Sequence, residues 1–216
     1  MHLIVNLCEA TLLVAVALFP IVNPLSGALI FLGLTEGAPQ RVRRALAMRV
    51  SVNGFLILVV SMLIGGKVLA FFGVSLPAVQ VGGGLVLIAM GWNMLQAKEG
   101  ETHPAALSPV EVSTQAFYPL TLPLTVGPGS ISVAVALGAN TQRQLYGWPA
   151  QWASAILGPL LIALSILICY RSADRMEKLL GRTGMNVFLR LSAFIILCIG
   201  IQILWNGVAA FTHLRA

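Results

Sequence analysis

Long charge-free apolar runs alternate along the chain with short polar connections, the runs covering 10–35, 50–66, 68–97, 112–142, 144–170 and 191–214. Their hydrophobic residues do not alternate with a period of two over segments of about ten residues, as the strands of a membrane barrel would. Nearly all of them reach the roughly 20 helical residues that a hydrocarbon layer requires. The pattern predicts an all-α integral membrane protein with six transmembrane passes, forming a single membrane domain over 1–216.

Two of the runs carry an interruption. In "ALFPIVNPLSGALIFLGL", residues 17–34, Pro20, Asn23 and Pro24 fall where a straight helix would continue, and "TLPLTVGPGSISVAVALG", residues 121–138, has a similar form. Asn is a good helix N-cap and Pro is favoured just after it, so a new helix starting at Pro24 would leave amides near Leu25 and Ser26 without partners. Gly127, Pro128, Gly129 and Ser130 suit the same kind of start. Broken or re-entrant helices are therefore expected at 20–27 and 123–130. The plainer alternative is that these prolines only kink packed helices.

The interruptions also suggest duplication. Pro24 and Ser26 align with Pro128 and Ser130, and "GLVLIAMGWNML" at 84–95 aligns with "AFIILCIGIQIL" at 193–204, setting Gly84 and Gly91 opposite Ala193 and Gly200. The expected units are 1–97 and 112–214, joined by a linker at 98–111. With three passes in each, the second unit must enter the membrane from the opposite side, which makes the repeat inverted.

Composition strengthens the membrane reading. The 216 residues are 58% hydrophobic and only 9% charged, with a mean hydropathy of +0.91; soluble domains carry about 25% charged residues. A cleaved signal peptide is not expected, because "MHLIVNLCEA" has no Lys or Arg, includes Glu9, and is followed by five more apolar runs. The net charge of +6 does not point to nucleic acid, since its basic residues lie mainly in two connections. Arg41, Arg43, Arg44 and Arg49 lie between passes one and two, Arg171, Arg175, Lys178 and Arg182 between five and six, and Lys98 between three and four, whereas Arg143 stands alone on the opposite side. Both termini are expected to face away from the cytoplasm.

Candidate chemistry is sparse. Cys8, Cys169 and Cys198 lack metal-ligand spacing and read as buried small residues. No HExxH, GxSxG or P-loop pattern occurs, so an enzyme is not expected, nor is a cofactor or metal, and active transport would draw on an ion gradient or on the gradient of the solute. The candidate substrate-binding residues are Asn23, Pro24, Ser26, Thr125, Gly127, Pro128, Gly129, Ser130 and Ser132. Asn53, Asn93, Gln202 and Asn206 could line a path or tie helices together. Glu9 and Lys67 lie near helix ends and suit snorkelling, and Gly82, Gly83, Gly84, Gly91, Gly200 and Gly207, with Ala193, would let helices approach closely. A carrier, a channel and a structural membrane subunit all fit these features. Self-association stays open.

The segments "LFPIVNPL", "FFGVSLPAVQVGGG", "PLTLPLTVGPGSIS" and "GRTGMNVFLRLSAF" resemble recurring segments of the MarC family of integral membrane proteins. That resemblance implies a six-pass inner-membrane protein whose characterised relatives transport small neutral amino acids such as alanine and glycine, some coupled to ions, here a proton or sodium. The family often has Arg where this chain has Gln80, while Arg190 is retained at the related position of the second unit. Arg190 suits either ligand contact or interface anchoring.

Overall fold

The computed structural model describes residues 2–35, 38–96, 116–141 and 148–213, so the linker expected at 98–111 lies outside the described residues. Eight helical elements follow in chain order: α1 (His2–Val22), α2 (Pro24–Leu34), α3 (Gln40–Phe71), α4 (Leu76–Gln96), α5 (Ala116–Thr125), α6 (Pro128–Thr141), α7 (Trp148–Arg171) and α8 (Ala173–His213). Among the described residues, five apolar helical stretches are long enough to cross a membrane: Val5–Leu34, Gln40–Phe71, Leu76–Gln96, Trp152–Arg171 and Asn186–Phe211. The fourth apolar run of the sequence is built differently, from two shorter pieces, α5 and α6.

Local chemistry explains both irregular stretches. Pro20 stays inside α1, so the first break is sharper than the expected span of 20–27 and falls at Asn23, whose backbone is left-handed at φ 46 and ψ 61. A residue before proline is disfavoured in the right-handed helical region, and Asn enters the left-handed region more easily than most residues. The Asn23 amide closes α1 on the Phe19 carbonyl at 2.9 Å, and the Gly27 amide opens α2 on the Asn23 carbonyl at 3.0 Å. In α5 the residues before proline, Tyr118 and Leu122, take extended φ/ψ values of −124/127 and −108/129. Thr121 and Thr125 then turn their hydroxyls back to the Ala116 and Leu120 carbonyls, at 2.7 and 2.6 Å, holding a wide turn together. A third break, at Gly181 (φ 62, ψ 175), separates the start of α8 from its apolar crossing.

Close helix approach organises the bundle. A Cβ on Gly84 would lie 2.6 Å from the Leu204 nitrogen and 2.8 Å from the Gly200 carbonyl oxygen, and one on Gly91 would lie 2.8 Å from the Leu197 nitrogen and 2.9 Å from the Ala193 carbonyl oxygen. The α4 and α8 backbones therefore run antiparallel in direct contact, a packing that small residues permit in lipid. Leu87 and Ile196, on these two helices, are fully buried. α3 packs on α6 and α7, while α7 packs on α1 and α2. At one end of the bundle Arg43 of α3 donates to Asp174 of α8 at 2.7 Å, tying together the two basic connections.

The outer surface is apolar: Val16, Leu56, Phe71, Ile168, Val187 and Ile201 are among many large hydrophobic side chains left exposed, as a hydrocarbon environment favours. Cys169 is buried as expected, but Cys8 and Cys198 are exposed on outward helix faces. In lipid a small sulfur side chain needs no protein cover, which removes the physical basis for expecting all three to be buried. Glu9 and Lys67 are both exposed.

Candidate functional site

The two helix breaks meet at one cavity of about 320 Å³, bounded by Asn23 and Ser26 from the first break, by Thr125, Gly127, Pro128, Gly129 and Ser130 from the second, and by one face of α4. Each break contributes a helix start. At α2 the Asn23 Oδ1 accepts from the Ser26 amide at 3.3 Å. Because the first backbone bond of the helix is made by Gly27, the Leu25 amide precedes the helical ladder. At α6 the first such bond runs from the Ile131 amide to the Gly127 carbonyl at 3.1 Å, and the amides of Gly129 and Ser130 precede it. Helix starts of this kind carry partial positive charge and free donors.

Side-chain groups add to the donors. Asn23 and Ser26 are 8% and 2% exposed, and both Asn23 Nδ2 and Ser26 Oγ lack a hydrogen-bond partner among the described residues. A buried polar atom without a partner costs on the order of 1–3 kcal/mol, so two of them on one cavity call for an explanation in terms of what the cavity holds. Pro24 and Pro128 themselves offer no N–H at these starts, and Leu124, four residues before Pro128, also lines the cavity. Among the described residues that line the cavity, none is charged.

Other candidates fall into different places. Pro24 is buried at the first turn of α2 without bounding the cavity, where its ring sets the helix start. Thr125 bounds the cavity, but its hydroxyl is committed: it donates to the Leu120 carbonyl and lies 2.7 Å from the Tyr170 hydroxyl, which therefore donates to it. Ser130 Oγ donates to the Gly127 carbonyl at 2.9 Å. Ser132 bonds back to the Gly129 carbonyl at 2.9 Å and packs where a Cβ on Gly83 would sit, outside the cavity wall.

The second group of polar residues is not gathered at the cavity. Gln80 is half-buried on α4, while Asn93 and Arg190 are exposed on α4 and α8. Gln202 is exposed as well, donating to Asn206 at 2.9 Å along its own helix. Asn53 lies 3.4 Å from Thr121 and ties α3 to α5. Gly84, Gly91 and Gly200 belong to the α4–α8 seam rather than to the cavity.

Sequence reasoning did not single out Tyr170, which is 3% exposed at the end of α7. Its ring stacks on Phe31 of α2 with centroids 4.7 Å apart, and a Cβ on Gly27 would come within 2.6 Å of its hydroxyl oxygen. Tyr170 therefore clamps α2 to α5 beside the cavity. Its signal was a lone polar aromatic closing an apolar run. The α4 wall of Val86, Leu87, Met90 and Met94 was also missed, although Val86, Met90 and Met94 recur every four residues and share one helix face.

A helical fold with apolar helices long enough to cross a membrane, two of whose broken helices start on a partly open cavity with no charged lining among the described residues, defines the class: an integral membrane protein. The family model described as MarC family integral membrane protein matches residues 8–212, and the chain belongs to the MarC family. It is 32% identical over 213 residues to the inner membrane protein MarC of Citrobacter koseri, the alignment covering 94% of this chain and 96% of that protein. The same identity and coverage hold for MarC of Salmonella typhimurium, and MarC of Escherichia coli O1:K1 is 31% identical with the same coverage. No solved structure matches the chain significantly.

Proposed function

We propose that the protein is a secondary carrier of small neutral amino acids in the inner membrane, with its site in the cavity between the starts of α2 and α6. The observation that carries this reading is the pair of buried, unpartnered groups, Asn23 Nδ2 and Ser26 Oγ, on a cavity shared by both helix breaks. A zwitterion fits that lining. Its carboxylate would be received by the helix-start amides, and its ammonium group by backbone carbonyls at the two breaks. A solute with net charge would enter a site without a counter-charge, at substantial desolvation cost. The same carbonyls offer places for a coupling sodium ion, and a proton gradient is the alternative source of energy.

Alternating access would use an inverted repeat of the units 1–97 and 112–214. Contacts on the α4–α8 seam favour that symmetry: matching Gly84 with Ala193 and Gly91 with Gly200 exchanges the Gly84–Gly200 contact for the Ala193–Gly91 contact. The packing of α2 on α7 likewise exchanges for that of α6 on α3. In this arrangement both termini lie outside the cytoplasm, and the end carrying the Arg43–Asp174 pair faces it.

Purified protein in sealed vesicles is expected to exchange labelled alanine saturably, with competition by other small neutral amino acids. Replacing Asn23 with Leu should lower exchange by roughly fivefold to a hundredfold at matched protein amount and melting temperature, since a lost bond to a buried group costs about 1–3 kcal/mol. Non-saturating conductance would support a channel, and absence of flux under proton and sodium gradients would remove the transport reading.

A further inference from the structure

The polar groups of the cavity lie at the two helix starts, and its α4 lining is apolar and partly exposed, Val86 and Met90 being 41% and 37% accessible. Val86, Met90 and Met94 occupy successive turns of one face of α4, and Ile30 of α2 adds a further apolar side chain. Leu87, 1% exposed, fixes that wall: a Cβ on Gly129 would lie 2.5 Å from its Cδ2, so α4 is seated directly against the start of α6. The wall and the polar rim are thereby held at a set separation. The cavity, at about 320 Å³, stands near the lower end of the roughly 300–1,000 Å³ usual for small-molecule sites.

We infer that Met90 and Met94 determine specificity, setting how long an apolar side chain the site accepts once the charged ends of a zwitterionic solute are held at the helix starts. This rests on the carrier reading and adds the chemistry of the substrate's third substituent: an unbranched aliphatic chain, not only hydrogen or methyl. Methionine suits this role because its unbranched thioether chain re-packs around ligands of different length, whereas a branched wall would impose one shape. Leu87 is a positioning residue, acting through the seating of α4 on α6.

The test is a competition series against labelled alanine exchange in vesicles, using glycine, alanine, 2-aminobutyrate, norvaline and norleucine. For the wild type, inhibition should strengthen with chain length up to a limit and then weaken. Met90→Ala and Met94→Ala should each move that limit to a longer homologue, raising inhibition by the longest homologues relative to alanine by roughly tenfold, within the range one or two methylenes command in an apolar pocket. Ser26→Ala, at the polar rim, should weaken every homologue by a common factor. A parallel series of solute-induced shifts in melting temperature gives the same ranking without depending on turnover, and two wall positions guard against a variant that does not fold. If alanine exchanges saturably but neither methionine variant changes the ranking, or both weaken all homologues equally, the wall has no part in specificity and this inference falls while the carrier reading stands. If no homologue exchanges or shifts the melting of the folded wild type, the carrier reading falls and takes this inference with it.

Discussion

At the residue scale, one tightly constrained point beside the cavity is the contact between Gly27 and Tyr170. The Tyr170 hydroxyl sits where a Cβ on residue 27 would be, at 2.6 Å, while donating to Thr125, so Gly27→Ala must displace a hydrogen-bonded aromatic ring. Overpacking of this kind costs about 1–3 kcal/mol. Tyr170→Phe keeps the ring over Phe31 and loses one hydrogen bond, worth about 0.5–1.5 kcal/mol. In Tyr170→Phe the obstructing oxygen is gone, so adding Gly27→Ala should cost less than in the wild type; thermal unfolding of the two single variants and the double variant measures this coupling. Strict additivity would show that the two residues do not meet. The Asn23 cap was legible in the sequence because Asn-Pro carries a local conformational rule. Tyr170 was not, because its partners Phe31 and Thr125 are remote in sequence and only folding brings them together.

At the scale of elements, the broken helices and the glycine seam show what periodicity reveals and what it hides. Five of the six apolar runs hold a helix long enough to cross, since lipid demands about 20 apolar residues whatever their order. The runs do not show that the one at 112–142 is wound as α5 and α6, a consequence of Pro119, Pro123 and Pro128 acting together on hydrogen bonding. Nor does a glycine announce its neighbour. Gly84 faces the α8 backbone, while Gly82, two residues earlier, would meet nothing within 4 Å. Gly84→Val should therefore force α4 and α8 apart and lower the melting temperature in detergent by several degrees, whereas Gly82→Ala should leave it nearly unchanged. Equal effects from both would contradict direct backbone contact between α4 and α8.

At the scale of the whole molecule, packing brings the two basic connections to one end of the bundle. The Arg43–Asp174 pair joins the connection after α2 to the one after α7, and both are rich in Lys and Arg. Basic residues at the start of α3 oppose the helix dipole by about 0.3–1 kcal/mol each, so helix stability does not account for their position, whereas the proposed orientation, with this end in the cytoplasm, would. In a background lacking Cys8, Cys169 and Cys198, cysteines introduced near His2 should react with an impermeant thiol reagent from outside, and cysteines near Lys178 only from the cytoplasm. The reverse sidedness would invert the proposed orientation and leave the cavity in place.

The central claim, that a solute occupies the cavity between the two helix starts, is tested most directly at Ser26, a buried residue whose hydroxyl lacks a partner. In the cysteine-free background, the rate at which a small thiosulfonate reagent modifies Ser26→Cys can be followed with and without alanine. Modification is expected to slow as alanine rises, with half-protection at the concentration that half-saturates exchange by the same variant. A modification rate indifferent to alanine, in protein that still exchanges it, would place the solute elsewhere and contradict the account.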